Sequence, residues 1–311
     1  MKIIFMGTPA AAVPSLQRLV SDSHEIVAVY SQPDRPSGRG NKITFSPVKE
    51  FAVQHDLPVF QPIKIKTPEA LEEFRSHKAD LAVVVAYGRI LPESFLNAFP
   101  KGAINVHFSL LPKYRGAAPV NWAIVNGETC TGVTTMQMDA GLDTGDILLQ
   151  REIEIGPEET SPELMERLSL VGADLLSETL NRLGELSQQP QDHEKATFAP
   201  IMKREDGLID WSMPAESIVN RVRGFQPFPG SFTSYKGQKV TVWKATAVLN
   251  LDSESKRPGE INKAHGGELV VSSGNGTALS IQELQLEGKR RMTTRDVLNG
   301  ISLEPGEIVG G

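Results

Sequence analysis

At 311 residues the chain is long enough for two domains, with a substantial core in at least one, and its 40% apolar and 23% charged composition is that of an ordinary soluble globular protein. A net charge of −6, from 32 Lys and Arg against 38 Asp and Glu, excludes a broadly basic nucleic-acid surface and leaves any RNA contact to local patches. One cysteine, Cys130, excludes an internal disulfide, six scattered His give no metal-ligand spacing, and no apolar run suits a membrane span or signal-peptide core, so a cytoplasmic protein without a metal is expected.

Residues 2–6 read as a buried strand, and Gly7-Thr8-Pro9 turns it into a helix from about Ala11 to Val20. A dinucleotide-binding turn needs three glycines at G-x-G-x-x-G spacing, and here Gly7 stands alone. Further strands are predicted over Ile26–Tyr30, Pro58–Gln61 and Asp80–Ala86, the last a continuous apolar run of the kind parallel sheets use. Helices fill the gaps: Val48–His55 has helical spacing, and Thr67 before Pro68 is an N-cap followed by proline at the first helical position. This alternation predicts an α/β sheet with helices on both faces. In the loop from Gln32 to Lys42, glycines and prolines exclude a helix or central strand, and Arg35, Arg39 and Lys42 against Asp34 make it locally basic. A plain solvated loop has the same composition.

The segment from Ala86 to Pro92 lies at the carboxyl end of a buried strand, where open α/β sheets bind ligands, and the turn from Ser109 to Pro112 is expected to face the same crevice. Between them Gly102–Phe108 reads as a strand in which Asn105 and His107, two residues apart, share one side. Two prolines and a glycine shape the following apolar loop, Ser109 to Pro119, which suits a pocket wall. A strand from Gly132 to Met138 then enters the turn Asp139-Ala140-Gly141-Leu142-Asp143-Thr144-Gly145-Asp146, which can return a carboxylate to the His. An imidazole held by a carboxylate, beside an amide donor, can stabilise an oxygen that becomes negative during acyl transfer without a Ser or Cys nucleophile. The turn offers Asp139, Asp143 and Asp146 as candidates for that carboxylate.

Thr160 and Glu163 have capping-box spacing and open a helix that is expected to reach about Leu183. The polar stretch from Gly184 to Glu205, with Gln188, Gln189 and Gln191 around Pro190, reads as a domain linker ending near Lys203 and Arg204. After a helix from Pro214 to Arg223, short strands over Ser231–Tyr235, Lys239–Leu249, Gly259–Asn262, Glu268–Ser272 and Ala278–Leu286 suggest a small barrel. Residues 206–311 hold 12 basic and 12 acidic side chains, so this half carries none of the net negative charge and repels a polyanion less. Lys289, Arg290 and Arg291 form its best basic run, although a run of three is more often a solvated turn.

Asn105-x-His107, the run Ser109 to Pro119 and Asp139-x-Gly141-x-Asp143-Thr144-Gly145-Asp146 resemble the folate-dependent formyltransferases, most closely those acting on methionyl-tRNA. The likeness runs over nearly the whole chain. It implies a Rossmann-like catalytic sheet domain at 1–187, a linker at 188–205 and a smaller OB-like β-barrel domain at 206–311. It also implies transfer of a formyl group from 10-formyltetrahydrofolate to the α-amino group of methionine on initiator tRNA, in translation initiation. By the same resemblance Asn105, His107 and Asp143 are catalytic, and Tyr87, Arg89, Ile90, Leu91, Ser109, Leu110, Leu111 and Pro112 hold the folate. Arg35, Arg39 and Lys42 in the first basic loop, with Lys203 and Arg204 in the linker, would contact tRNA. Where the family typically places a linker lysine, this chain has Ile201. No metal, membrane or protein partner is implied. A sugar-nucleotide or glycinamide-ribonucleotide formyltransferase would share the three central residues, and a noncatalytic tRNA-binding protein could share the basic loops and barrel.

Overall fold

The computed structural model describes residues 1–37, 42–248 and 257–310. Its first sheet has seven strands: β1 (Lys2–Gly7), β2 (Glu25–Tyr30), β5 (Val59–Phe60), β6 (Leu81–Val85), β7 (Ala103–His107), β9 (Cys130–Gln137) and β10 (Ile147–Glu154). They run in the order β10-β9-β7-β6-β1-β2-β5. The five strands from β5 to β7 are mutually parallel, whereas β9 and β10 join antiparallel at the far side. Ile3 to Met6 and Leu81 to Val85 are buried at every position, as expected for strands covered on both faces. The chain leaves β1 on one side toward β2 and returns to β6 on the other. That reversal puts a crevice beyond the carboxyl ends of β1 and β6.

Local chemistry sets the helix starts. Ser46 accepts from the Lys49 amide ahead of α2 (Pro47–Gln54), and Thr67 accepts from the Ala70 amide ahead of α3 (Pro68–Ser76); both helices begin with proline. At α6 (Ser161–Asn181) the Glu163 carboxylate accepts from both the amide and the hydroxyl of Thr160, and these bonds hold its pKa below the ordinary value. The helix after β1 starts with a 3-10 turn and continues as α1 (Val13–Ser21).

Several features differ from the sequence-based expectations. The basic segment after β2 contains a short antiparallel pair, β3 (Arg35–Ser37) with β4 (Lys42–Thr44), separate from the central sheet. Strand β10 and helix α5 (Pro119–Val125) were not expected. As an edge strand, β10 alternates half-buried and exposed residues through its second half, so its charged sequence gives little apolar signal.

The chain forms two compact units that are not contiguous in sequence: Met1–Pro119, Cys130–Glu154 and Met165–Ala199 make the first; Val120–Thr129, Ile155–Leu164 and the chain from Pro200 on make the second. The polar stretch read as a linker is therefore divided. Gln189 pairs with Ile147 through two backbone hydrogen bonds, and β11 (Phe198–Ala199) pairs in parallel with β8 (Arg115–Gly116), all within the first unit.

In the second unit, helix α7 (Ala215–Gly224) precedes β12 (Ser231–Tyr235), β13 (Gln238–Val248), β14 (Ile261–His265), β15 (Glu268–Ser272) and β16 (Ala278–Leu286). These strands are antiparallel in the order β12-β13-β16-β15-β14, with β17 (Met292–Thr293) added beside β16 and helix α8 (Thr294–Leu298) following. Strand β14 starts and ends later than expected. Gly266-Gly267, both at positive φ, close a two-residue turn between His265 and Glu268, which sets its register with β15. Trp211, Ile218, Val242, Ile261, Val271 and Leu284 pack in its core. Among the described residues, no helix is long and apolar enough to cross a membrane.

Candidate active site

Strand β7 completes the parallel part of the sheet, and alternation puts Ala103, Asn105 and His107 on one face. Asn105 is in register with Met136 of β9 and Val84 of β6. Both polar side chains are buried, Asn105 at 8% exposure and His107 at 5%. Burial of such groups requires partners. His107 Nε2 donates to the Tyr114 carbonyl at 3.0 Å, which fixes the ring and leaves Nδ1 facing the turn after β9. There Nδ1 lies 3.8 Å from Asp143 Oδ2, beyond hydrogen-bond distance.

Asp143 adopts a left-handed backbone, φ 51°, and its Oδ2 also accepts from the Gly116 amide at 2.8 Å. Gly116 itself must be glycine here: at φ 121°, an added Cβ would stand 2.6 Å from the Ala199 carbonyl oxygen. Asp139 is engaged elsewhere. Its carboxylate accepts from the Thr144 hydroxyl and the Gly141 amide, closing the turn on itself.

Beside this constellation Arg89, Ile90 and Leu91 meet Met136, Met138 and residues 139–143 around a cavity of about 140 Å³. A second cavity, of about 560 Å³, shares Ile90 and Leu91 and extends along α3 past Thr67 and Leu71. Both cavities have largely apolar walls, and the carboxylates of Asp139 and Asp143 line the first. Ile90 is 69% exposed, so this apolar side chain is open to a ligand. Arg89 is pinned by Gln32 Oε1 at 2.9 Å and the Pro62 carbonyl at 3.0 Å.

The remaining expected folate residues are placed differently. The Tyr87 ring lies in the apolar core at 1% exposure, and burial raises the pKa of its hydroxyl. Ser109 and Leu111 are buried and fastened to the neighbouring strands: Thr134 Oγ1 donates to the Ser109 carbonyl and accepts from the Leu111 amide, while Gln150 donates to the Leu111 carbonyl. Leu110 and Pro112 are half-buried in the same loop, and none of these four residues lines the cavity that joins Arg89 to Asp143. Of the expected tRNA contacts, Arg35 and Lys42 sit on the paired strands β3 and β4, and Arg39 lies outside the described residues. Lys203 and Arg204 are exposed in the second unit.

Sequence reasoning missed Arg115 and Gln191. Arg115 is 4% exposed and donates through Nε and Nη2 to Gln191 Oε1, while Gln191 Nε2 donates to the carbonyls of Asp143 and Gly145. The only sequence cue was the polar Gln-rich stretch around Pro190, which has linker composition.

The family model described as formyl transferase matches residues 1–180, and the formyl transferase C-terminal domain model matches residues 201–302. The chain is 48% identical to the methionyl-tRNA formyltransferase of Geobacter sulfurreducens, with 100% of this chain and 97% of that relative aligned. It is 51% identical to that of Koribacter versatilis, over 100% and 99%. The chain belongs to the methionyl-tRNA formyltransferase family. Methionyl-tRNA formyltransferases are one-carbon transferases that draw on 10-formyltetrahydrofolate, so the chain is an enzyme, and neither the sugar-nucleotide nor the noncatalytic alternative is favoured. The fold is shared with a Helicobacter canadensis N-formyltransferase solved with folinic acid and dTDP-3-aminofucose, at TM-score 0.70 and 20% identity, covering 90% of this chain and 98% of that one. Aquifex aeolicus HypX, solved with tetrahydrofolic acid, matches at TM-score 0.64 and 18% identity, with 96% of this chain and 47% of that one covered.

Proposed function

We propose that Asn105, His107 and Asp143 carry formyl transfer from N10 of 10-formyltetrahydrofolate to the methionine α-amino group of initiator methionyl-tRNA. The observation that carries this reading is the convergence of an amide, an imidazole and a carboxylate at the end of β7, beside an apolar cleft, in a chain of this family. A free α-amino group has a pKa of about 7.7–8.0, so a useful fraction is neutral and nucleophilic near neutral pH. Its nitrogen attacks the formyl carbon to form the new C–N bond, and the carbonyl oxygen becomes an oxyanion. Asn105 Nδ2 and the protonated Nδ1 of His107 donate to that oxygen. Asp143, 3.8 Å from Nδ1, stabilises positive charge on the ring. Collapse of the tetrahedral intermediate breaks the bond to N10, which takes up one proton as the amine gives one up, directly or through water.

In this reading Ile90 and Leu91 hold the pterin with Arg89, and the loop from Ser109 to Pro112 supports the site from behind. Arg35, Arg39 and Lys42 engage the acceptor arm, with Lys203 and Arg204 as further contacts to tRNA. Residues 1–187 act as the catalytic domain and 206–311 as the second domain; of the stretch 188–205 read as the link, the part up to Ala199 folds with the first unit and the rest with the second. The enzyme works in the cytoplasm, where initiator tRNA is charged. Incubation with 10-formyltetrahydrofolate and charged initiator tRNA, followed by mass spectrometry of the released aminoacyl group, should give formylmethionine. Unmodified methionine under these conditions, with a folded enzyme, would refute the reaction.

A further inference from the structure

Asp143 sits in an exposed-sided turn, in a backbone region that side chains other than glycine enter at a cost, yet its carboxylate must face a buried imidazole. Gly116 fixes only the carboxylate. What holds the backbone is Gln191: its Nε2 donates to the carbonyl of Asp143 at 2.9 Å and to that of Gly145 at 2.7 Å, spanning the residue between them. Gln191 is itself 6% exposed and located 46 residues beyond Gly145 in sequence. It arrives there because Gln189 extends the edge of the sheet by pairing with Ile147.

The other end of the amide is oriented with equal care. Gln191 Oε1 accepts from Arg115 Nε at 3.1 Å and Nη2 at 2.6 Å, and the guanidinium also meets His193 Nδ1 at 3.1 Å. A guanidinium only donates, so it forces the amide oxygen toward Arg115 and the NH2 toward the Asp143 turn. Arg115 therefore acts on Asp143 twice: through its side chain by way of Gln191, and through the next amide, Gly116, on the carboxylate.

We propose that Gln191, oriented by Arg115, is a positioning residue that holds Asp143 against His107 for formyl transfer. This inference rests on the catalytic reading of Asp143. Gln191→Glu keeps the shape and the bonds from Arg115 but replaces two donors with acceptors facing carbonyl oxygens; Gln191→Met keeps the length and removes both functions. Each should lower kcat roughly 10- to 100-fold in protein that remains folded at the assay temperature, as loss of a supporting hydrogen bond or a displacement near 1 Å does. If Gln191 acts only through Asp143, adding Gln191→Glu to Asp143→Asn should cause no further loss of kcat.

Three results overturn the proposal. Wild-type kcat in both folded Gln191 variants, while Asp143→Asn is slow, would reject Gln191 alone. Multiplicative losses in the double variant would mean that Gln191 acts elsewhere. Wild-type kcat in Asp143→Asn would remove the catalytic reading itself and the inference with it.

Discussion

The turn after β9 and the antiparallel sheet of the second unit solve opposite problems. Around β7 polar side chains are held by fixed hydrogen-bond partners: His107 by the Tyr114 carbonyl, Asp143 by the Gly116 amide, Gln191 by the Arg115 guanidinium. In the second unit the buried centre is apolar, built on Trp211, Val242, Ile261 and Leu284, and charge pairs such as Lys236 with Glu307 and Arg291 with Glu283 remain at its surface. Apolar packing tolerates small shifts at a modest loss in stability, whereas a hydrogen-bonded constellation loses chemistry when one donor moves. Substitutions in the two regions should thus separate activity from stability.

The largest effect is expected at Asn105. Replacing it by Ala should lower turnover roughly 100- to 1,000-fold, the usual consequence of losing one oxyanion donor, while the thermal midpoint changes little. Near wild-type turnover in a saturating assay would exclude the amide from the reaction. The converse belongs to Leu284, 1% exposed in the second core: Leu284→Ala should cost about 2–5 kcal/mol of stability in denaturant titration, with kcat unchanged at a temperature where the protein remains folded. A loss of kcat there without a loss of stability would break the division between the regions.

Asp143→Asn should slow turnover roughly 10- to 100-fold through the imidazole it faces, and Asp139→Asn, which loosens only the turn, should have the smaller effect on kcat. The reverse order would assign the imidazole to the wrong carboxylate. Arg39→Ala should spare folate binding measured by calorimetry and weaken charged tRNA. If the contact is to phosphate, the variant's affinity falls less steeply with salt, by about one unit of slope. If it is to a base edge, the slope holds and discrimination between initiator and elongator methionyl-tRNA is lost. A variant equal to wild type in all three would leave the segment a solvated loop.

The smallest effect is at Glu307. The Lys236 ammonium, the Tyr235 hydroxyl and the Glu304 amide hold its carboxyl down to about 2, from an ordinary value of 4.5. A depressed folded-state value contributes stability above 4.5 that is lost as pH falls toward 2. The Lys236 side chain is 64% exposed, and solvent screening keeps the gain small. Acid titration of wild type and Glu307→Gln should show a stability difference that narrows between those pH values; a constant difference would place the effect of Glu307 in packing rather than charge.

Elements specified by their own residues were legible in the sequence: the apolar strands β1 and β6, the Ser161–Asn181 helix with its Thr160–Glu163 cap, the Thr67–Pro68 start of α3, and Asn105 and His107 on one strand face. Alternation, capping and proline geometry act within a few residues, so no distant partner is needed to read them. Edge strand β10 escaped because it has only one buried face, and its existence depends on pairing with β9. Motif spacing offered three carboxylates for the imidazole without ranking them by geometry; the 3.8 Å approach of Asp143 to His107 Nδ1 and the Asp139–Thr144 bond separate two of them. Gln191 looked like linker because its composition is polar and its partners, Arg115 and the 143–145 carbonyls, lie 76 and 46 to 48 residues away. A hydrogen bond across such a separation has no periodicity in sequence, and only the folded chain decides it.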